Sequence, residues 1–164
     1  MPPRPRATAE QVAIRPGVSV LSVFRYLNYQ PWFALAEFVD NAVQSSHANA
    51  AALLAAHGAG WKLKVSIEID TVPPGRIVIR DSAAGISAAD FPRAFRPAVV
   101  PPDSSGLSEF GMGMKSAACW FASRWYVRTK ALGESVERTV RFNIDEIVSD
   151  ESILRNAEML LPQY

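Results

Sequence analysis

Cysteine is almost absent from this chain. The one thiol, Cys119, lies in the apolar run Ala117-Ala118-Cys119-Trp120-Phe121, which fits a buried side chain in a reducing compartment and argues against a nucleophile. Charge of one sign is lacking too. Lys and Arg number 17 and Asp and Glu 16, so no global field draws the chain to nucleic acid or to an anionic membrane, and such a partner would need a local patch. No apolar run is long enough to span a bilayer. The Pro- and Arg-rich N-terminus has no apolar segment of the kind a signal peptide or anchor needs. A cytoplasmic location is therefore expected. His47 and His57 have no second ligand cluster near them and read as surface histidines. No internal repeat is visible.

With 164 residues, one compact domain with a real apolar core is the natural expectation. Met1 to Gly17 carries four prolines and reads as a flexible arm, leaving residues 18–164 for the domain. Ser19 is placed to cap a short helix in which Val20, Val23, Phe24 and Leu27 recur at helical spacing up to Tyr29. Pro31 suits the first turn of the next helix, predicted to run to about His57, where Gly58 and Gly60 stop it.

This second helix organises the chain. Leu35, Phe38, Val39, Ala42 and Val43 form an apolar stripe, and Glu37, Asp40, Asn41 and Gln44 cluster opposite. Glu37 and Asn41 are four positions apart, so a carboxylate base and a neutral amide oxygen reach one small volume. An isolated pair of this kind is more often a solvated helix face.

Downstream, Leu63, Val65, Ile67 and Ile69 alternate with polar residues as in a strand with one buried face. Pro73-Pro74-Gly75 is a turn, and Arg76 to Arg80 is the antiparallel partner, which delivers Asp81 to its end. After Asp81-Ser82-Ala83-Ala84-Gly85-Ile86, Ser87 is placed to cap a short helix bearing Phe91 and Phe95. Arg96 to Ser108, with Pro97, Pro101, Pro102, serines and Gly106, reads as a mobile loop. Trp125 to Thr129 and Val136 to Phe142 are two further strands around Gly133-Glu134, and Glu151 to Leu161 is a candidate final helix.

The run Gly106-Leu107-Ser108-Glu109-Phe110-Gly111-Met112-Gly113-Met114-Lys115-Ser116 opens onto a helix reaching about Ala122. Closely spaced glycines before a helix let backbone N–H groups approach an anion, which the helix dipole also attracts. In outline this is a phosphate cradle. It is not a Walker A loop, because Met114 stands before Lys115 where that motif requires Gly, and it contains no G-x-G-x-x-G.

Taken in order, Glu37-x-x-x-Asn41 on a helix, Asp81 before a Gly85 turn, and Gly111-x-Gly113 opening a helix resemble the GHKL family of ATPases. Gyrase B subunits, MutL, the ninety-kilodalton heat-shock chaperone, MORC proteins and histidine kinases belong to it. The resemblance covers roughly Val18 to Phe142, and Phe110 to Ser116 looks most like the MORC and bacterial MORC-like form. It implies an α+β two-layer sandwich, the Bergerat fold, with a mixed, mostly antiparallel sheet and helices on one face. It also implies Mg²⁺-dependent ATP binding and slow hydrolysis that drives a conformational or dimerisation switch.

On the same resemblance, Glu37 would activate the attacking water and Asn41 would give its side-chain oxygen to Mg²⁺. Asp81 would accept from the adenine amino group, with Gly85 and Ile86 shaping the base pocket. Gly111, Met112, Gly113 and Met114 would wrap the phosphates, and Lys115 would add a charge there. Two positions depart from the family pattern. Ala83 replaces its first glycine in the Asp81 motif, so either the backbone there is ordinary or a methyl narrows the base pocket. Gln44 stands where many members have Asp.

Two other readings stay open. One is a histidine-kinase catalytic domain, which would not need a water-activating Glu37; the other is a non-hydrolysing nucleotide-gated module, consistent with Ala83. The resemblance further implies a strand bearing a Gly-Thr pair and a lysine-bearing transducer domain beyond the region of Val136 to Phe142; neither follows, and Met159-Leu160-Leu161 lacks a cover, so the chain is expected to be the N-terminal part of a longer protein. Nucleotide-dependent homodimerisation would then run through the downstream regions.

Overall fold

The computed structural model describes residues 20–96 and 112–149. The expected arm before Gly17, the loop beyond Arg96 as far as Gly111, the helix from Glu151 to Leu161 and the Met159-Leu160-Leu161 segment lie outside the described residues.

The chain opens with helix α1 (Val20–Val23) and a 3-10 turn (Phe24–Tyr26). This first helical stretch is shorter than its periodicity predicts because Leu27 turns extended, with ψ of 140°. Gln30, just before Pro31, is extended as well, as the proline ring requires of its predecessor. Helix α2 (Pro31–Ala48) follows. The long helix predicted to His57 is interrupted at Asn49, where α2 ends and α3 (Ala50–His57) begins. Asn49 donates from Nδ2 to the Ser45 carbonyl at 2.9 Å, a side-chain bond that competes with the backbone ladder. Gly58 then ends α3 with φ of 89°.

Strands β1 (Val65–Asp70) and β2 (Arg76–Asp81) form one antiparallel hairpin, and β3 (Arg124–Lys130) and β4 (Glu137–Asn143) form another. Among the described residues these are two separate two-stranded sheets. Helices and small antiparallel sheets make the chain α+β. Helix α4 (Phe91–Phe95) and helix α5 (Gly113–Phe121) come between the hairpins, and α6 (Ile144–Ser149) follows β4 directly.

The core joins Leu21, Phe24, Phe91, Phe95, Cys119, Val140, Phe142, Ile144 and Ile147. On the β3–β4 hairpin, Trp125 stands opposite Phe142 and the rings stack 4.0 Å apart. The alternation of β3 is obeyed residue by residue, with Trp125, Val127 and Thr129 turned inward. The β1–β2 hairpin lies outside this core cluster, and Ile69 is 59% exposed. Cys119 is buried as expected, and burial pushes its thiol up to about 11, so it is unreactive at neutral pH. Among the described residues no helix is long and apolar enough to cross a membrane.

Candidate functional site

Helix α2 packs on α5. The side chains most deeply buried on α2 are Ala34, Ala42 and Ser46, and those on α5 include Ala117 and Ala118. Small side chains let two helix backbones come close. The larger members of the predicted stripe, Leu35, Phe38, Val39 and Val43, are half-buried at its borders.

The first consequence of this close approach is a contact between Glu37 and Gly113. The Glu37 carboxylate lies directly against the Gly113 Cα, in the space a side chain would fill. A Cβ built on Gly113 would overlap Oε2 and stand 2.9 Å from the carboxyl carbon. Glu37 is half-buried, and its pKa is raised, first by burial and then by the Asp40 carboxylate. A base with a raised pKa beside a helix N-terminus suits proton abstraction from water. One turn on, Asn41 donates from Nδ2 to the Glu37 carbonyl at 2.7 Å. That bond fixes the amide plane and leaves Oδ1 with no hydrogen bond among the described residues.

The segment before α2 ties it to α5. The Tyr29 hydroxyl and Ser116 Oγ are 3.3 Å apart, and Trp120 donates from Nε1 to the Leu27 carbonyl at 3.0 Å. Ser116 Oγ also donates to the Gly113 carbonyl at 2.9 Å, fixing the first turn of α5. The links from Tyr29 and Leu27 were not visible in the sequence, since each joins residues far apart in the chain. The side chains of Met112 and Met114 pack toward the core, so the start of α5 presents backbone. Gly111 lies outside the described residues.

Asp81 ends β2. Its Oδ1 accepts the Ala83 N–H at 2.9 Å, closing an Asx turn that leads to Gly85. Gly85 has φ of +70°, and an added Cβ would overlap the Lys130 carbonyl oxygen and lie 2.8 Å from its carbon. The Ala84 carbonyl accepts the Leu132 N–H at 2.7 Å, and Ile86 donates its N–H to Thr129 Oγ1 at 2.9 Å. This turn is thus pinned to the end of β3. Gly85→Ala is expected to cost on the order of 3 kcal/mol, from a strained backbone and an overlap with main chain that cannot step aside. A denaturation midpoint unchanged from the parent would refute the close approach.

Lys115 does not stand where the resemblance would use it. It is 1% exposed, and its Nζ donates to the Ala94 and Arg96 carbonyls at 2.9 and 2.8 Å, at the C-terminal end of α4. Burial, with Arg93 nearby, holds its pKa down at about 8. The structure therefore brings Glu37 and Gly113 together with Asn41 bonded one turn along α2, gives Asp81, Gly85 and Ile86 a separate turn, and turns Lys115 under α4. A cavity between Arg25, the C-terminal end of α5 and Ile144 contains none of these residues.

One helix thus sets Glu37 against the glycine start of another, with Asn41 one turn along, and an Asp turn follows a strand. A family model described as histidine kinase-, DNA gyrase B-, and HSP90-like ATPase matches residues 29–160. The chain belongs to this family. No curated protein matches it. As a member of this ATPase family the chain has an ATP-binding domain. Among the described residues no three His, Cys, Asp or Glu side chains gather into a metal cage. The oxygen of Asn41 is a neutral hard ligand of the kind Mg²⁺ accepts beside phosphate and water, so the donor set fits that ion.

Proposed function

We propose that the chain binds ATP with Mg²⁺ and hydrolyses it slowly, and that the nucleotide state drives a conformational or dimerisation switch. The observation that carries this reading is the half-buried Glu37 carboxylate with a raised pKa, seated on Gly113 at the start of α5. Glu37 orients and deprotonates the attacking water, and the backbone at the start of α5 faces the phosphates. Asn41 Oδ1 would hold the ion, which would supply neutralisation of the phosphate charge. Asp81 accepts from the adenine amino group, beside the pocket that Gly85 and Ile86 shape. Lys115 is left out of the phosphate set because its ammonium is engaged by two carbonyls.

The finer assignments belong to the same proposal. They are a Bergerat-type two-layer sandwich over residues 18–164, a MORC-like member of the family and a cytoplasmic location. Retention of a water-activating Glu37 favours hydrolysis over phosphoryl transfer to a protein histidine.

Nucleotide competition tests the base assignment. Guanine would set its carbonyl against the Asp81 carboxylate and leave that charge unpaired, so ATP should bind roughly 10- to 100-fold more tightly than GTP. Asp81→Asn should lose most of this preference. Equal affinity of the parent for both nucleotides would remove Asp81 from the site.

A further inference from the structure

We infer that Lys115 is a positioning residue: it clamps the first turn of α5 to the C-terminal end of α4 and so holds Gly113 in place against Glu37. The inference rests on the reading of Glu37 as the base. Gly113 and Lys115 are two residues apart on one helix, roughly 200° around its axis, so they face nearly opposite sides. On one side Gly113 meets the Glu37 carboxylate. On the other, Lys115 Nζ reaches the Ala94 and Arg96 carbonyls. The first turn of α5 is thereby held from both flanks, by α2 and by α4.

Both partners of the clamp need it. The last carbonyls of a helix have no partner within the helix, and α4, with five residues, is too short to persist without external bonds. The first N–H groups of α5 are unsatisfied in the same way, so its first turn would fray unless held. Among the described residues no carboxylate pairs with Lys115, although it is the largest fully buried side chain. A cation buried on two carbonyls alone is an expensive way to fill space, and a methionine would fill it at less cost. What the lysine adds is reach and direction, joining the first turn of α5 to the Ala94 and Arg96 carbonyls at the end of α4.

The test compares the 164-residue chain with Lys115→Met, Lys115→Gln and Lys115→Arg, by ATP binding, turnover and residue-resolved hydrogen exchange. K115M should leave ATP affinity within about threefold and lower kcat by roughly 10- to 100-fold, the penalty expected for misplacing a reacting group by about an ångström. Without nucleotide, the Ser116 amide, which donates to the Met112 carbonyl at 2.8 Å, should exchange about tenfold faster, with the β3–β4 amides unchanged. K115R, which keeps its donors, should restore both readouts. If K115M does not fold, K115Q, shorter and neutral, should show the same split in weaker form.

Three results would overturn the inference. Parental kcat and exchange in the folded variants would make Lys115 simple packing. Loss of ATP affinity with kcat intact at saturation would put its ammonium on the phosphates. A lower melting temperature with neither readout changed would reduce it to a structural role. If the parent neither binds nor hydrolyses ATP, the functional reading fails, while the exchange arm still decides whether Lys115 holds the first turn.

Discussion

Glu37→Gln is expected to slow ATP turnover by about 10²- to 10⁴-fold, the usual worth of a positioned general base, to leave ATP affinity nearly unchanged, and to raise the melting temperature at pH 7. The two effects have one origin. Burial beside Gly113, and then the Asp40 charge, lift the Glu37 pKa above its ordinary value of 4.5. Between that value and the folded-state value the native chain binds more protons than the unfolded chain, so stability falls as pH rises through the window. At pH 7 the ionised carboxylate therefore works against the fold, and the amide removes that penalty. Below about pH 4.5 both chains are neutral at this position, and the gain should vanish. Calorimetry across pH, run beside phosphate release, separates the alternatives. Parental turnover would leave Glu37 on a solvated face and favour a non-hydrolysing module. A variant less stable than the parent at pH 7 would show that the carboxylate stabilises the helix it sits on.

What was legible in the sequence was local. The alternation of Val65, Ile67 and Ile69 and the turn before Arg76 gave the first hairpin, and Gly133, with φ of 80°, serves the second as expected. Glu37 and Asn41 could be placed together because one helical turn joins them. The hairpins could not be related to each other, since their registers are set by their own turns and the bonds between Ala84 and Leu132 or Ile86 and Thr129 span more than 40 residues. Lys115 was misleading for a physical reason. A lysine beside glycines at a helix start reads as an anion ligand, and nothing local indicates that α4 would cover it. Helix α6 carries a local signal as well. Ile144 and Ile147 are three apart, both enter the core, and Asp145 and Glu146 occupy the first turn, where they suit the helix dipole.

The contact most easily put at risk is that between α2 and α5, and Gly113→Ala should expose it through a reversal of sign. Gly113 is helical and has no positive φ, so alanine is locally acceptable there and intrinsically favours the helix by up to about 1 kcal/mol. With Glu37 present, the new methyl meets the carboxylate, which is the mobile end of a side chain and must swing away. The chain should therefore fold, with a small loss or no gain in stability, while turnover drops by about 10²-fold because the base is displaced by an ångström or more. In a Glu37→Ala background the space is empty. There Gly113→Ala should stabilise the protein, giving a coupling energy of about 0.5–3 kcal/mol, as expected for residues in direct contact. Turnover, already at the floor set by the missing base, should not fall further. Four unfolding curves close the cycle. Stability changes that simply add, within about 0.5 kcal/mol, would mean that the Glu37 carboxylate does not rest on Gly113 and that the base is held by something else.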